Sequence, residues 1–422
     1  MMGENKVTAL VLAAGKSKRT KTILPKVLLE VGGRPLIFYI LDTLRKVKYI
    51  DNIIIVTGHK RELLEETVKR VYQDIKFSLQ RELNGTAKAV ESAKELLTDS
   101  ENVLVICGDT PLVTPSTIKK FIKNFFKENA DCSIITAYFE EKTDLGRIIR
   151  DRENNIERIA EKVDLEDEVK MEEVNSGIYC FKKKFLFDGL REITCHKKKK
   201  EYFLTDIVNI FYRRGLKILG FTLDNPNELI GVNTQDNLSL VNRLLNKRFI
   251  DNLRDKGAII IDPDTTFVSY DTKIGRDTVV YPFTFIEKNV IIGRNCKLGP
   301  FVHIRKDSVI EDNVCVGNFV EINRSKLSEG VRMKHFSYVG DTTVGKKVNI
   351  GAGTVVANYD GYKKNKTLIE NEAFIGSDTV IVAPVRIGKR AKTGAGSVVT
   401  KDVEPNTVVV GVPAKIFKKI KD

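Results

Sequence analysis

The chain has 422 residues, 42% hydrophobic and 30% charged, and its 70 Lys and Arg against 56 Asp and Glu give a formal charge of +14. At ~150 residues per domain this predicts two or three globular domains and excludes fibrous and disordered classes. No window approaches the ~18 apolar residues of a membrane span, no leader pattern opens the chain, and six scattered cysteines without a CxxC pair argue against a disulfide framework or zinc ribbon. The expectation is a cytoplasmic protein with no transmembrane segment. The basic balance suits phosphate-bearing substrates. Trp is absent and aromatics do not cluster with basic residues, so no nucleic acid is expected as a partner. The one dense basic run, His196 to Lys200, reads as a solvated loop.

In chain order, Val7 to Leu12 reads as a buried strand and Pro35 as the first residue of a helix whose apolar side is Leu36, Ile40, Leu41 and Leu44. Asn52 to Val56 is the next strand, with helices at Arg61 to Val71 and Thr86 to Leu97, and then a strand from Val103 to Ile106 that ends in Gly108-Asp109. This alternation predicts a mostly parallel sheet covered on both faces, with ligands beyond the strand C-termini after Leu12 and Ile106. Thr234 to Asp255 reads as a connecting helix. Beyond it an aliphatic residue followed by glycine recurs, as Ile274-Gly275, Ile292-Gly293, Leu298-Gly299, Val316-Gly317, Val339-Gly340, Ile350-Gly351, Ile375-Gly376 and Ile387-Gly388. Steps of six or its multiples mark a hexapeptide β-helix, with one aliphatic residue per six pointing inward and glycine or a small polar residue at the corner. About 160 residues at ~18 per coil give roughly nine coils. Two breaks stand out: 316 to 339, which contains His335, and 350 to 375, which contains the polar, basic segment Asn358 to Lys366. The second is expected to leave the scaffold as a loop, and loops on a rigid scaffold are where function concentrates.

Leu12-Ala13-Ala14-Gly15-Lys16-Ser17-Lys18-Arg19 follows a strand, and small residues there let backbone N–H groups approach a phosphate. With Pro25-Lys26, Gln80, Gly85-Thr86, Gly108-Asp109, Gly146-Arg147, Glu161-Lys162, Asn175, Thr205-Asp206 and Asn233, it resembles the sugar-1-phosphate nucleotidyltransferases. With the hexapeptide half attached, nearly the whole chain resembles the bifunctional N-acetylglucosamine-1-phosphate uridyltransferase/glucosamine-1-phosphate N-acetyltransferase family. The resemblance implies an α/β plus all-β chain. A Rossmann-like nucleotidyltransferase domain would span residues 1–228, a linking helix 229–256, and a left-handed parallel β-helix acetyltransferase domain 257–422.

By the same resemblance, Lys26 and Arg19 would hold the phosphates of UTP, and Asp109 and Asn233 would bind Mg²⁺. The pocket for UTP and the UDP-sugar would comprise Leu12, Gly15, Lys26, Gln80, Gly85, Thr86, Asp109, Gly146, Glu161, Asn175 and Asn233. His335 would be the general base of acetyl transfer. Arg305, Tyr338, Asn349 and Lys364 would bind glucosamine-1-phosphate. Asn358, Tyr359, Ser377 and Ala395 would line the acetyl-CoA groove. The partners implied are small-molecule substrates and two further copies of the chain in a homotrimer. Ser17 stands where the family has a second glycine, and Asn323 where it has a substrate-binding lysine beside Arg324. The competing reading is a sugar-1-phosphate nucleotidyltransferase alone, with the β-helix as an oligomerisation or regulatory module.

Overall fold

The computed structural model of the chain describes residues 5–17, 19–139, 145–161 and 172–420. It divides into two compact units, residues 1–31 with 35–241 and residues 32–34 with 242–422. The division falls inside the helix Gln235–Asp255.

The first unit is built on a nine-stranded sheet. Its main path runs Ile218–Thr222, Cys132–Phe139, Glu172–Lys182, Asn102–Cys107, Val7–Leu12, Ile50–Thr57, Lys76–Leu79. Along that path Glu172–Lys182 is antiparallel to both neighbours and every other pairing is parallel. Successive side chains of a strand point to opposite faces, and the core divides accordingly. Val7, Ala9, Val11, Ile53, Ile55, Leu104 and Ile106 enter one apolar cluster, while Leu10, Ile54, Val56, Val103 and Val105 enter the other. Helices Leu36–Arg45 and Pro115–Lys127 cover the first face, and Thr86–Ser92 and Asp206–Arg213 the second. A strand buried on both sides is apolar along nearly its whole length, which is why these runs do not alternate; the exception in Val7–Leu12 is Thr8, whose hydroxyl bonds with Asp51 and Ser100. Pro35 proves to be the N-cap rather than the first helical residue, because its ψ of 139° is extended.

Strand Val7–Leu12 pairs with Ile50–Thr57 on one side and Asn102–Cys107 on the other, with Leu12 opposite Cys107 at the C-terminal ends. The chain order reverses between these two strands, and at such a switch point the loops diverge and leave a crevice.

The second unit is a parallel β-helix of three sheets, with ten, eight and seven strands. The last turn ends in an antiparallel strand, Lys415–Lys419 against Thr407–Val410. One residue per short strand points inward, so that Val280, Ile286, Ile292, Leu298, Ile304, Ile310, Val316 and Ile322 join one continuous core. At Gly275 and Gly317 the repeat's glycine is required by space rather than by backbone angle. A Cβ on Gly275 would lie 2.7 Å from Gly293 backbone, and one on Gly317 would lie 1.7 Å from the Lys334 carbonyl oxygen. The left-handed corner position falls two residues later, at Asp277, Asn295 and Asn313, residue types that tolerate it.

The two breaks in spacing have different origins. Between 350 and 375 the coil does extrude a segment, since Ile350 pairs with Ile375 and Ala357 with Val382. Between 316 and 339 no segment is extruded. Val316 pairs with Met333 and Ile322 with Val339, so the coil is merely one residue short. The following coil is short as well, because Met333 pairs with Ile350 while Leu327 pairs with Val344.

Candidate active sites

A cavity of about 570 Å³ opens at the switch point of the first unit, lined by Leu12, Gly15, Lys16, Arg19, Lys26, Gln80, Gly85, Thr86, Cys107, Asp109 and Asn233 among others. That volume lies within the ~300–1,000 Å³ of ordinary ligand sites. Lys26 is the centre of its charge. The ammonium pairs with Asp109 Oδ2 and donates to Asn233 Oδ1 at 2.9 Å, joining residues 83 and 207 positions apart. Asn233 is free for this because Thr234 caps the helix that follows. Thr234 Oγ1 accepts the Asn237 N–H at 3.1 Å, and Asn237 Oδ1 accepts the Thr234 and Asn233 N–H groups at 3.1 and 3.2 Å, a reciprocal capping arrangement.

Ser17 takes the left-handed backbone (φ 54°) that glycine would adopt freely, at a cost of roughly 1–2 kcal/mol. Its Oγ accepts the Lys26 N–H at 2.9 Å, a bond worth about 1 kcal/mol that offsets much of this and ties the loop to the Pro25-Lys26 step. On another wall Gly85 is obligatory: φ is +119°, and a Cβ would lie 2.3 Å from the Tyr202 carbonyl oxygen. Gln80 Nε2 donates to Gly85 O at 3.0 Å, and Thr86 Oγ1 accepts the Leu204 N–H at 2.9 Å. Cys107 is no nucleophile, because burial, then the charge of Asp109, pushes its thiol up to about 12. Gly146, Glu161 and Asn175 are not in the cavity wall. The Asn175 N–H donates to Gly146 O at 2.8 Å, and Glu161 is held separately, its Oε1 accepting from Thr205 Oγ1 at 2.6 Å. Lys18 and Lys162 of the sequence motifs lie outside the described residues.

In the β-helix, register places His335, Ala352, Ser377 and Ala395 at one corner position of four successive coils, since Met333, Ile350, Ile375 and Thr393 stack two residues before that position. Strands ~4.8 Å apart put Ser377 roughly 10 Å and Ala395 roughly 14 Å along the prism from His335. His335, Ser377 and Ala395 are exposed, and the His335 imidazole makes no hydrogen bond among the described residues. The next edge carries a polar cluster. Arg324 and Asp341 occupy the corners of the two shortened coils, with φ of 48° and 51°. Arg324 Nε and Nη2 donate to the two Asp341 oxygens at 2.7 Å each, and Nη1 donates to Asn323 Oδ1 at 3.0 Å. Asn358 Nδ2 donates to the same carboxylate, and Tyr338 OH reaches Asn358 Oδ1 at 3.5 Å. The Arg324 hydrogen bond, aided by Asn358 and by the charge of Lys364, holds the Asp341 carboxyl below its usual range despite partial burial. Arg305 Nη1 donates to Glu321 at 3.0 Å, and its guanidinium also lies 3.7 Å from Glu287; the bond to Glu321, above all, raises its pKa. The extruded segment staples itself. Asp360 accepts the Tyr362 and Lys363 N–H groups at 2.9 and 2.8 Å and Asn365 Nδ2 at 2.8 Å. These bonds, the Lys363 N–H first, hold its carboxyl at about 2.

The nucleotidyl transferase family matches residues 8–226, and the bacterial transferase hexapeptide family matches 271–306, 289–324 and 366–401. The bifunctional protein GlmU of Thermotoga maritima is 40% identical, with 97% of each chain aligned. That of Thermosipho africanus is 38% identical over 97% of this chain and 96% of its own, and that of Lactococcus lactis 39% over the same shares. The chain belongs to the GlmU family. It is a bifunctional uridyltransferase and acetyltransferase of UDP-N-acetylglucosamine synthesis.

Within this GlmU chain the structure gathers the expected nucleotide residues Leu12, Gly15, Arg19, Lys26, Gln80, Gly85, Thr86, Asp109 and Asn233 around one cavity. It groups Tyr338 and Asn358 with Asp341, and brings the charge of Lys364 to bear on that carboxylate. It does not bring Asn349 to them, since that residue lies on the ten-stranded sheet while Tyr338 lies on the eight-stranded one. Tyr359 turns back on its own loop, with its OH donating to Gly361 O at 2.6 Å. Sequence reasoning missed Ser17 as a partner of Lys26, Asn237 as a cap, and Asp341 as a hub. It also missed Lys199, which lies in the nucleotide cavity wall although its run reads as a solvated loop. The Thr-x-x-Asn spacing and the step of five from Val339 to Val344 are the signals that would have found Asn237 and Asp341.

Proposed function

We propose that the first unit carries uridyl transfer and the β-helix acetyl transfer. The observation that carries the first assignment is the convergence of Lys26, Asp109 and Asn233 at the strand ends. The α-phosphorus of UTP is attacked by a phosphate oxygen of N-acetylglucosamine-1-phosphate, and pyrophosphate leaves. The nucleophile is already an anion, so no base is needed; the task is to hold two anions together. Lys26 and Arg19 supply positive charge, the Gly15–Ser17 loop admits a phosphate to its backbone, and Gln80, Gly85 and Thr86 form the wall for the base. Asp109 and Asn233 suit Mg²⁺: two oxygen donors already converge on one cation, the Lys26 ammonium. Among the described residues no cluster of three His, Cys, Asp or Glu competes for a softer metal, and Mg²⁺ keeps several waters and substrate oxygens as ligands. When bound, the ion would neutralise charge on the phosphates.

In the β-helix, His335 takes a proton from the 2-amine of glucosamine-1-phosphate as the nitrogen attacks the thioester carbonyl of acetyl-CoA, and CoA leaves as the thiol after protonation. Arg305 and Lys364 provide cations for the sugar phosphate, and Tyr338 and Asn358 orient the sugar. The row Ser377 and Ala395 gives an extended cosubstrate a track along the prism. We place both reactions in the cytoplasm, which six unpaired cysteines support. Among the described residues no helix is long and apolar enough to cross a membrane. A homotrimer is supported by an exposed ladder of stacked rings, Phe283 on Phe301 at 4.8 Å and Phe301 on Phe319 at 5.2 Å. Phe336 stands one coil further, beside His335. Light scattering should give three chain masses; a monomer would refute the trimer.

The decisive test is a crossed pair. Asp109→Ala should abolish pyrophosphate release and leave CoA release intact, while His335→Ala should do the reverse, each by ~10²-fold or more. Loss of both activities in either folded variant would refute the division.

A further inference from the structure

Lys199 belongs to no motif that the two reactions call for, yet it stands in the nucleotide cavity wall beside Glu201 and Phe203. The turn that bears it is closed by His196. The His196 N–H donates to Glu201 O at 2.9 Å, its carbonyl accepts the Lys200 N–H at 2.8 Å, and its Nδ1 accepts the Lys199 N–H at 3.3 Å. The imidazole packs on Phe203 with ring centroids 5.3 Å apart, and Lys200 takes a left-handed φ of 54°. Immediately after the turn, the Tyr202 N–H donates to Asn84 O at 2.7 Å, and the Ala87 N–H donates to Tyr202 O at 3.0 Å. The basic turn is therefore fastened to the segment that presents Gly85 and Thr86 to the cavity.

Among the described residues the wall contains four cations, Lys16, Arg19, Lys26 and Lys199, against two carboxylates, Asp109 and Glu201. Lys26 is already engaged by Asp109 and Asn233. The Lys199 ammonium has no ion-pair or hydrogen-bond partner among the described residues, Glu201 of the same wall included, and is left to meet a ligand. A lysine acts on phosphate as a mobile point charge and does not need the bidentate geometry of arginine. A reaction that joins two phosphate-bearing substrates in one cleft has a use for such a charge next to the segment that presents Gly85 and Thr86.

We propose that Lys199 is a phosphate-binding residue of uridyl transfer, engaging substrate phosphate oxygens from the Gly85–Thr86 side. The proposal rests on the assignment of this cavity to that reaction. Two sources of phosphate are available, the triphosphate of UTP and the monoester of N-acetylglucosamine-1-phosphate.

Calorimetric titration of the full chain with each ligand separates them, using Lys199→Gln and, as a control in the same turn but outside the wall, Lys198→Gln. Lys199→Gln should weaken one ligand by about fivefold at low salt, with the difference shrinking at high salt as screening grows. Lys198→Gln should bind as the native chain. Uridyl-transfer KM should rise for the affected substrate with kcat kept, and acetyl transfer should be unchanged. An effect on UTP alone assigns the contact to the triphosphate, and an effect on the sugar phosphate alone assigns it to the monoester. Equal binding of both ligands by the two variants would overturn the proposal. If Lys26→Ala left UTP binding at the native level, the cavity assignment itself would fall, whatever Lys199 did.

Discussion

The switch-point cavity and the edge of the β-helix both concentrate charged and polar side chains, but they collect those groups by opposite means. In the cavity, Lys26 meets partners 83 and 207 residues away, brought to it by crossovers of a parallel sheet. On the β-helix edge, Arg324, Asp341 and Asn358 are each 17 residues apart, and stacking alone makes them neighbours. The first arrangement depends on the whole sheet and the second on the length of a lap. Tolerance to substitution should therefore differ between them in kind.

The largest expected effect comes from adding one methyl group in each region. Gly317→Ala would drive a Cβ to 1.7 Å from a backbone oxygen of the next coil, whereas Gly15→Ala meets nothing within 4 Å. Calorimetric unfolding should show the first destabilised by at least the ~1–3 kcal/mol of an overpacked core and the second near native. Comparable melting of both variants would break the contrast. An intermediate effect is expected at the edge. Arg324→Lys keeps the charge but loses the two-pronged bond to Asp341, and kcat/KM for acetyl transfer should fall roughly tenfold with uridyl transfer untouched. An unchanged rate would mean that the hub does not position the site. The smallest effect concerns the staple of the extruded segment. The Asp360 carboxyl is depressed to about 2, so the order it confers is complete above its unfolded value of ~4 and is lost only as pH falls through about 2. Amide exchange at Tyr362 and Lys363, corrected for intrinsic rates, should stay flat from neutral pH to mildly acidic pH in the native chain. It should be faster throughout in Asp360→Asn, and a midpoint near pH 6 would contradict the assignment.

The same difference decides what could be read from the amino-acid order. The β-helix is a local code: a six-residue step names the inward residues, and Ile274, Ile292 and Leu298 are buried as that step requires. What the step concealed was the meaning of its irregularities. A spacing of 23 looks like an insertion when it is three full steps and one short one, and only pairing of Ile322 with Val339 distinguishes them. In the first unit, buried strands and their order of appearance were legible because apolar runs between helices leave few alternatives. The side-chain partners were not. Ser17 looks like a weakened glycine until its hydroxyl is seen on the Lys26 amide. The lysine run looks like a solvated loop because its exposure is real, while the position of Lys199 depends on the distant Asn84–Ala87 segment.

The two shortened coils have a consequence for how such a fold changes over time. Deleting a residue from an α-helix rotates everything after it by ~100°, and deleting one from a flat strand turns every later side chain over. Here the frame resets each lap: Ile304, Ile322, Val339, Val356 and Ile381 stay in line through two losses and one insertion at the same edge. An error at that corner does not propagate. One edge of the prism is thus a margin in which residues can be struck out or added while the text of the core stays readable, and it is in that margin that Arg324, Asp341 and Asn358 are written.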